Sequence, residues 1–424
     1  MISSHDTLKS SVIYEAFPRC HGQTGTFKDV IADTERIHSL GVDILWIMPH
    51  YPIGKKGRKG SIGCPYAIRD YRAIDPNLGS VADFEELISA THEVGLKLMI
   101  DVVFNHTSRD SVLLRDHPEW FYRDHEGELA TKVSDWSDVF DLDYRHQDLW
   151  KKQIDTLAYW LEMGVDGFRC DVAPLVPLSF WAQVDQELSA IRKPIWLAES
   201  VYPSFVRLLR RSGHICHSDP ELHSVFDLTY DYDGFSQLDL VLNRKLDLHH
   251  FIHHLDLQEA LYPQRALKLR FLENHDQLRI ASRISNHNRL LHWTLFYLML
   301  PGTALVYAGQ EFAATIQPSL FESAYPFNRN NSDFNESFHE MLQLTKRIKK
   351  TAHVDRIFQF LEYWVQMDWK DDDITYRAVL CISDDAESLK LHPASHRINL
   401  LTGKDISGKK IGPESGPMLF KIDS

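Results

Sequence analysis

The stretch Gly164 to Leu175, GVDGFRCDVAPL, places Arg169 and Asp171 inside what otherwise reads as a short buried strand. Charges are costly to bury unless they are paired. Either these two neutralise each other for structural reasons, or they stand at a strand end facing a cavity where charge does chemistry. Two further carboxylates close similar apolar runs, Glu199 in PIWLAES and Asp276 in ALKLRFLENHD. Asp101, Asn105 and His106 end another run, Asn274 and His275 precede Asp276, and a further run carries Asp227. Convergent carboxylates have two main uses. In glycoside cleavage one attacks or stabilises the anomeric carbon while a protonated partner supplies a proton to the leaving oxygen. The rival use is binding of Mg²⁺ or Mn²⁺. Arg169 shares the strand face of Asp171. A fixed cation there favours an ionised nucleophile and competes with a metal.

Such residues meet only if the surrounding elements bring them together. Short apolar runs alternate with amphipathic segments from Val12 onward. The strand segments are Val12–Phe17, Val42–Pro49, Lys97–Phe104, Asp166–Val172, Pro194–Ser200, Ser224–Tyr230, Ala266–Asp276 and Thr303–Glu311. Between them lie helix patterns. TFKDVIADTERIHSLG has Thr26 and Asp29 in capping-box positions, SVADFEELISATHEVG is capped by Ser80, and DLWKKQIDTLAYWLEMG carries a stripe of Trp150, Ile154, Leu157 and Leu161. Nearly continuous apolar strands alternating with helices imply an α/β fold with a covered parallel sheet, and eight units imply closure into a (β/α)₈ TIM barrel. In that fold the site lies at the C-terminal strand ends, where these charges would gather. The barrel is expected over residues 1–106 and 145–350, with a polar excursion, domain B, over 107–144 after the third strand. Beyond it, IFQFLEYWV, ITYRAVLCIS and RINLLTG read as strands of a small antiparallel β-sandwich domain over 351–424.

Composition narrows the function. The chain has 424 residues, 44% hydrophobic, 25% charged and 11% aromatic, the profile of a soluble globular protein. A net charge of −13 argues against a nucleic-acid surface. The basic loop GKKGRKGS, Gly54 to Ser61, lacks the spacing of a phosphate-binding loop and reads as a solvated loop. Five scattered cysteines give neither a disulfide framework nor a zinc site. The N-terminus has no signal-type apolar region, and no long apolar run occurs, so a cytoplasmic protein without a membrane partner is expected.

Four motifs, DVVFNHTS (Asp101–Ser108), GFRCDVA (Gly167–Ala173), WLAES (Trp196–Ser200) and FLENHD (Phe271–Asp276), occur in order on the third, fourth, fifth and seventh strands. Together with VFDLDY near Asp141 and LPGTALVYAGQE on the eighth strand, they resemble the α-amylase family of retaining glycoside hydrolases, glycoside hydrolase family 13. The resemblance implies Asp171 as nucleophile, Glu199 as general acid/base held protonated by burial and anionic neighbours, and Asp276 as the third carboxylate gripping sugar hydroxyls. It further implies that His106 and His275 bind the sugar, that Arg169 orients Asp171, and that Tyr66 is the aromatic platform. Retention requires the two reacting carboxyls to lie about 5 Å apart. The implied activity is hydrolysis of α-glucosidic bonds, mainly α-1,4, in maltodextrin- or starch-type α-glucans, by a monomer or homodimer. The alternatives are an α-glucanotransferase or an exo-acting α-glucosidase, α-1,6 bonds included, using the same carboxylates.

Three positions depart from the family pattern. Ala67 stands where oligosaccharide-trimming members often carry Asp, which favours an open cleft and endo cleavage. Val172 often accompanies α-1,6 action in the family, so the two clues pull apart, and Ala67 weighs more because it bears on pocket shape. The family's calcium sites are poorly matched: CHGQTGTF has no acidic loop, Pro174-Leu175 replaces a lysine-histidine pair, and Asn105 is the one remaining ligand. No cofactor and no required metal are expected.

Overall fold

Branched and aromatic side chains buried on both faces make the central strands short and apolar. In the computed structural model, which describes residues 4–322, 327–391 and 397–423, these strands are β1 (Val12–Ala16), β2 (Ile44–Ile47) and β3 (Lys97–Val102). After a small ladder of β4 (His106–Ser108) and β5 (Val139–Asp141) come β6 (Gly167–Cys170), β7 (Ile195–Ala198), β8 (Leu228–Tyr230), β9 (Lys268–Arg270) and β10 (Thr303–Tyr307). The strand order β1-β10-β9-β8-β7-β6-β3-β2 closes a barrel. All eight expected strands are present, each ending before the polar residues that follow it. Among the described residues no helix is long and apolar enough to cross a membrane.

Parallel register fixes which residues sit side by side. Asp101 on β3 pairs with Arg169 on β6, which pairs with Leu197 on β7. At the opposite strand ends, carboxylates close the ladders: Asp166 Oδ2 accepts Leu98 N at 2.9 Å and Asp227 Oδ2 accepts Trp196 N at 2.9 Å. This corrects the reading of Asp227 as a site-facing charge. It precedes β8 and serves the N-terminal edge, whereas Asp231, just past β8, is the buried carboxylate at the C-terminal end.

The helices follow their sequence signals unevenly. Ser80 forms a full capping box with Asp83 ahead of Val81–Glu93. Gly164 ends Gln147–Met163 at φ 124°, a conformation few other residues tolerate. The expected Thr26–Asp29 box does not form. Asp29 instead accepts Thr24 N and Gly25 N at 2.8 and 2.7 Å, and the segment breaks into the helices Phe27–Ile31 and Thr34–Leu40. The turn before the helix offered the carboxylate closer donors than the cap.

The chain divides into two compact units, residues 14–233 with 318–327, and residues 1–13, 234–317 and 328–424. The second contains the C-terminal antiparallel sheet, β11 (His353–Leu361), β12 (Trp364–Lys370), β13 (Ile374–Cys381) and β16 (Met418–Asp423), and a two-stranded ladder of β14 (Leu389–Lys390) and β15 (Lys410–Ile411). Trp364, Val379, Leu391, Ile411 and Phe420 pack between them. RINLLTG is not a strand; Asn399 there caps a turn, and Met418–Asp423 supplies the fourth strand instead. Part of the preceding stretch, residues 392–396, lies outside the described residues.

Candidate active site

Arg169 answers the question raised by its strand, and the answer is both readings at once. Its Nη1 donates to Asp101 Oδ1 and to Asp171 Oδ1, each at 2.8 Å. Nη2 lies 2.9 Å from Glu199 Oε1, an ion pair whose angle falls outside hydrogen-bond geometry. Nε donates to the Tyr230 hydroxyl at 3.3 Å, and the guanidinium sits over the rings of Trp46, Tyr66 and Tyr230 at 5.2 to 5.4 Å. Burial works against its charge, but Asp101 and Glu199 more than offset this, so its pKa stays well above the ordinary arginine value. Arg169 and Asp101 are fully buried, whereas Asp171 and Glu199 each keep 7% of their surface exposed. One cation thus gathers three carboxylates, two of which still reach solvent.

The backbone beyond β6 completes the arrangement. Val172 adopts φ 35°, ψ 45°, left-handed values that a β-branched residue rarely takes and that cost on the order of 1–3 kcal/mol. That turn aims Val172 N at Glu199 Oε2, 2.7 Å away. Glu199 N in turn donates to Cys170 O, and Asp171 N to Val102 O. Both Glu199 oxygens are thus held, Oε1 against the Arg169 guanidinium and Oε2 by Val172 N. The strain lies directly after Asp171, in the sequence position where Val172 was read only as a linkage clue.

Tyr66 donates from its hydroxyl to Asp101 Oδ2 at 3.1 Å, so it joins the same cluster. His106 is buried on β4, opposite Asp141 of β5, with its Nδ1 3.1 Å from Asn105 Nδ2 and its ring 5.3 Å from that of Trp136. Burial lowers its pKa against the pull of Asp141 and Asp138, which favours the neutral ring. The loop Gly54 to Ser61 is more than a solvated loop. Lys59 Nζ donates to Asp135 O at 2.8 Å and pairs with Asp138 at 3.1 Å, tying the loop to the segment before β5.

His275 and Asp276 follow β9 in the other unit. His275 Nε2 is 3.3 Å from Asp276 Oδ2, Asp276 N donates to Asn274 Oδ1 at 2.9 Å, and Gln317 donates to His275 O. Both ends of this loop are anchored by a buried pair that the sequence reading missed. Arg279 Nη1 donates to Glu273 Oε1 at 2.6 Å, Ile280 N donates to Glu273 Oε2, and Arg279 Nη2 donates to Ala308 O at 2.8 Å. A carboxylate inside FLENHD followed six residues later by an arginine is too common a pattern to have marked it. Thus Tyr66, Asp101, Arg169, Asp171 and Glu199 form one bonded cluster, His106 sits on the β4–β5 ladder, and His275 lies against Asp276 after β9.

A calcium ion would need several hard oxygen donors. Among the described residues no group of three or more His, Cys, Asp or Glu is placed to hold a metal. Asn105 Oδ1 is buried without a hydrogen-bond partner, but its neighbour Asp141 already faces a cation. Asp141 Oδ2 accepts Lys132 N at 2.9 Å and has the Lys132 ammonium 3.7 Å away. These residues do not fit a calcium site.

Comparison with known proteins agrees with the motifs. The family model described as "Alpha amylase, catalytic domain" matches residues 11–140 and 115–356. An α-amylase crystal structure from Lactobacillus plantarum shares 38% identity and a TM-score of 0.90, covering 98% of this chain and 100% of that one. The noncanonic maltogenic α-amylase AmyB from Thermotoga neapolitana shares 32% identity and a TM-score of 0.86 over 98% of this chain and 99% of its own. The α-amylase MalA of Haloarcula japonica is 28% identical over 72% of this chain, which spans only 44% of that protein's length. Motifs, barrel and matches agree, and the chain belongs to the α-amylase family, glycoside hydrolase family 13.

Proposed function

We propose that the protein is a retaining glycoside hydrolase cleaving α-glucosidic bonds, mainly α-1,4, in maltodextrin- and starch-type α-glucans. The observation that carries this reading is the sharing of one guanidinium by Asp171 and Glu199. Two carboxylates held on one planar cation are kept close, as a double-displacement mechanism needs. Asp171, oriented by Arg169, attacks the anomeric carbon while Glu199 gives its proton to the departing glycosidic oxygen. Glu199 then takes a proton from water, whose oxygen attacks the same carbon and releases Asp171. A single arginine cannot neutralise Asp101, Asp171 and Glu199 together, and this excess negative charge favours a proton on one of them once sugar excludes water. Glu199 is the member placed to use it.

Asp276 and His275 are assigned to sugar hydroxyls, with neutral His106 as a further hydrogen-bonding group and Tyr66 as the ring beneath the sugar. Ala67, small and buried beside Tyr66, supports an open cleft and endo action. Val172 touches Glu199 through its backbone, which any residue supplies, so its side chain speaks weakly for α-1,6 action. The proposal includes a cytoplasmic setting, in keeping with five free cysteines. Incubation with maltoheptaose tests the reading. Early mid-chain fragments are expected. Glucose from the first minutes would replace it with an exo-glucosidase, and products longer than the starting sugar with a transferase.

A further inference from the structure

A cavity of about 490 Å³ lies within the unit that carries the C-terminal sheet, and none of its lining residues belongs to the carboxylate cluster. This volume falls within the range of small-ligand sites, roughly 300–1,000 Å³. Its walls come from the turn between the helices Tyr232–Leu242 and Leu248–Leu261, from the segment that follows the Asp276 loop, and from the ends of β11 and β13. Arg244, Arg283 and Arg289 line it, and each is already paired. Arg244 binds Asp385 at 2.8 Å, Arg283 binds Asp239 at 2.8 Å, and Arg289 binds Asp384. Arg244 holds φ 55°, a left-handed conformation that a long side chain adopts only when its surroundings require it. Tyr363, partly exposed at the β11–β12 turn, adds an aromatic surface.

The lining selects the ligand's chemistry. A phosphate or carboxylate ligand would have to displace carboxylates that already neutralise each arginine. An apolar ligand would strip water from these ion pairs and offer no hydrogen bond in return. An uncharged molecule rich in hydroxyls meets neither penalty. Its hydroxyls can donate to the carboxylates and accept from the guanidinium edges, and a sugar ring's apolar face can lie on Tyr363. We propose that this cavity is a second α-glucan binding site that holds part of a long chain while another part is cleaved. This rests on the proposed α-glucan activity, but its readout does not.

Arg244→Gly, which relieves the left-handed backbone, and Tyr363→Ala test it in two backgrounds. In a Glu199→Gln background, retention in native gels containing amylopectin should fall about five- to tenfold for each variant, the loss of a hydrogen-bonded or stacked contact. In the active protein, KM for amylopectin should rise by a similar factor while kcat/KM for maltotriose is unchanged. Unchanged retention in both variants overturns the proposal. So does a parallel loss of maltotriose turnover, which would place the effect in the active site. If the parent protein cleaves neither substrate yet retention depends on Arg244, the second site stands and the hydrolase reading falls.

Discussion

Two buried arginines, Arg169 and Arg279, sit in the two units of this chain and are used in opposite ways. Arg279 pairs with Glu273 and donates to the carbonyls of Ala308 and Ile316, and its guanidinium lies 4.0 Å from the Tyr307 ring centroid. Both partners are sealed from solvent, and burial pushes the Glu273 carboxyl up against the pull of Arg279, with the nearby Glu311 adding to the rise. Arg169 is claimed by three carboxylates, two of them still reaching solvent. A pair sealed from solvent fixes a loop. An over-subscribed cation leaves carboxylates whose protonation a ligand can change. If that distinction is right, removing a carboxylate from the first pair should cost stability, and removing one from the second should cost activity.

The largest effect belongs to Glu199. Glu199→Gln should lower kcat on maltoheptaose by about 10³- to 10⁴-fold, the usual contribution of general acid–base catalysis, with thermal stability unchanged or raised because one of the crowded charges has gone. A maltosyl fluoride substrate, whose leaving group needs no proton, should recover much of the first step. Activity surviving on both substrates would remove Glu199 from its role and with it the contrast between the two arginines. Glu273→Gln should behave in reverse. Stripping the counter-charge from a fully buried arginine typically costs about 3–5 kcal/mol, read as a lower denaturation midpoint. The folded fraction should keep measurable kcat, and a kcat loss as deep as that of Glu199→Gln at normal stability would show that the pair acts on the chemistry directly.

The contrast also explains what was legible in the sequence. The eight strands and most helices were, because continuous apolar runs and amphipathic periods encode them locally. The site residues were legible because their types are costly to bury, and FRCD announces that cost. Asp227 was misplaced since a strand boundary a residue or two away decides which barrel end a side chain serves. The Thr26–Asp29 box failed because Thr24 and Gly25 competed for the same carboxylate, a choice made by loop geometry. The Arg279–Glu273 pair went unread because nothing local distinguishes a salt-bridged arginine from a solvated one. RINLLTG was overcalled because alternation alone cannot tell a strand from a turn closed by Asn399.

His50 extends the comparison to a buried group with no counter-charge. It stacks on Phe84 at 4.7 Å and lies against Tyr51 and Trp160, with neither ring nitrogen hydrogen-bonded. Burial lowers its pKa to about 3. The unfolded chain therefore binds the extra proton between pH 6.5 and about 3 while the folded chain does not, so stability falls as pH drops through that window. His50→Phe removes this dependence. Between pH 7 and pH 5 the wild type should lose about 2 kcal/mol more than the variant, measured by urea unfolding at both pH values. Equal losses would mean that the ring finds a partner when protonated.

Lys132 gives the smallest effect and the test closest to the site's edge. Its ammonium faces Asp141 at 3.7 Å, while Asn105 reaches the same carboxylate from the other side. Asp141 is fully buried, and the Lys132 ammonium is a cation that the structure places beside it. With a lysine in that position the protein carries its own cation, and EDTA should leave its melting temperature and activity unchanged. Lys132→Met leaves Asp141 beside the unpartnered Asn105 oxygen. The variant should lose about 1 kcal/mol, because the ammonium stands 3.7 Å off and Asp141 keeps its bonds from Lys132 N and Asn105 Nδ2, and millimolar calcium should recover part of that loss without affecting the wild type. A wild type that loses stability in EDTA would mean that the lysine does not do the work of a metal.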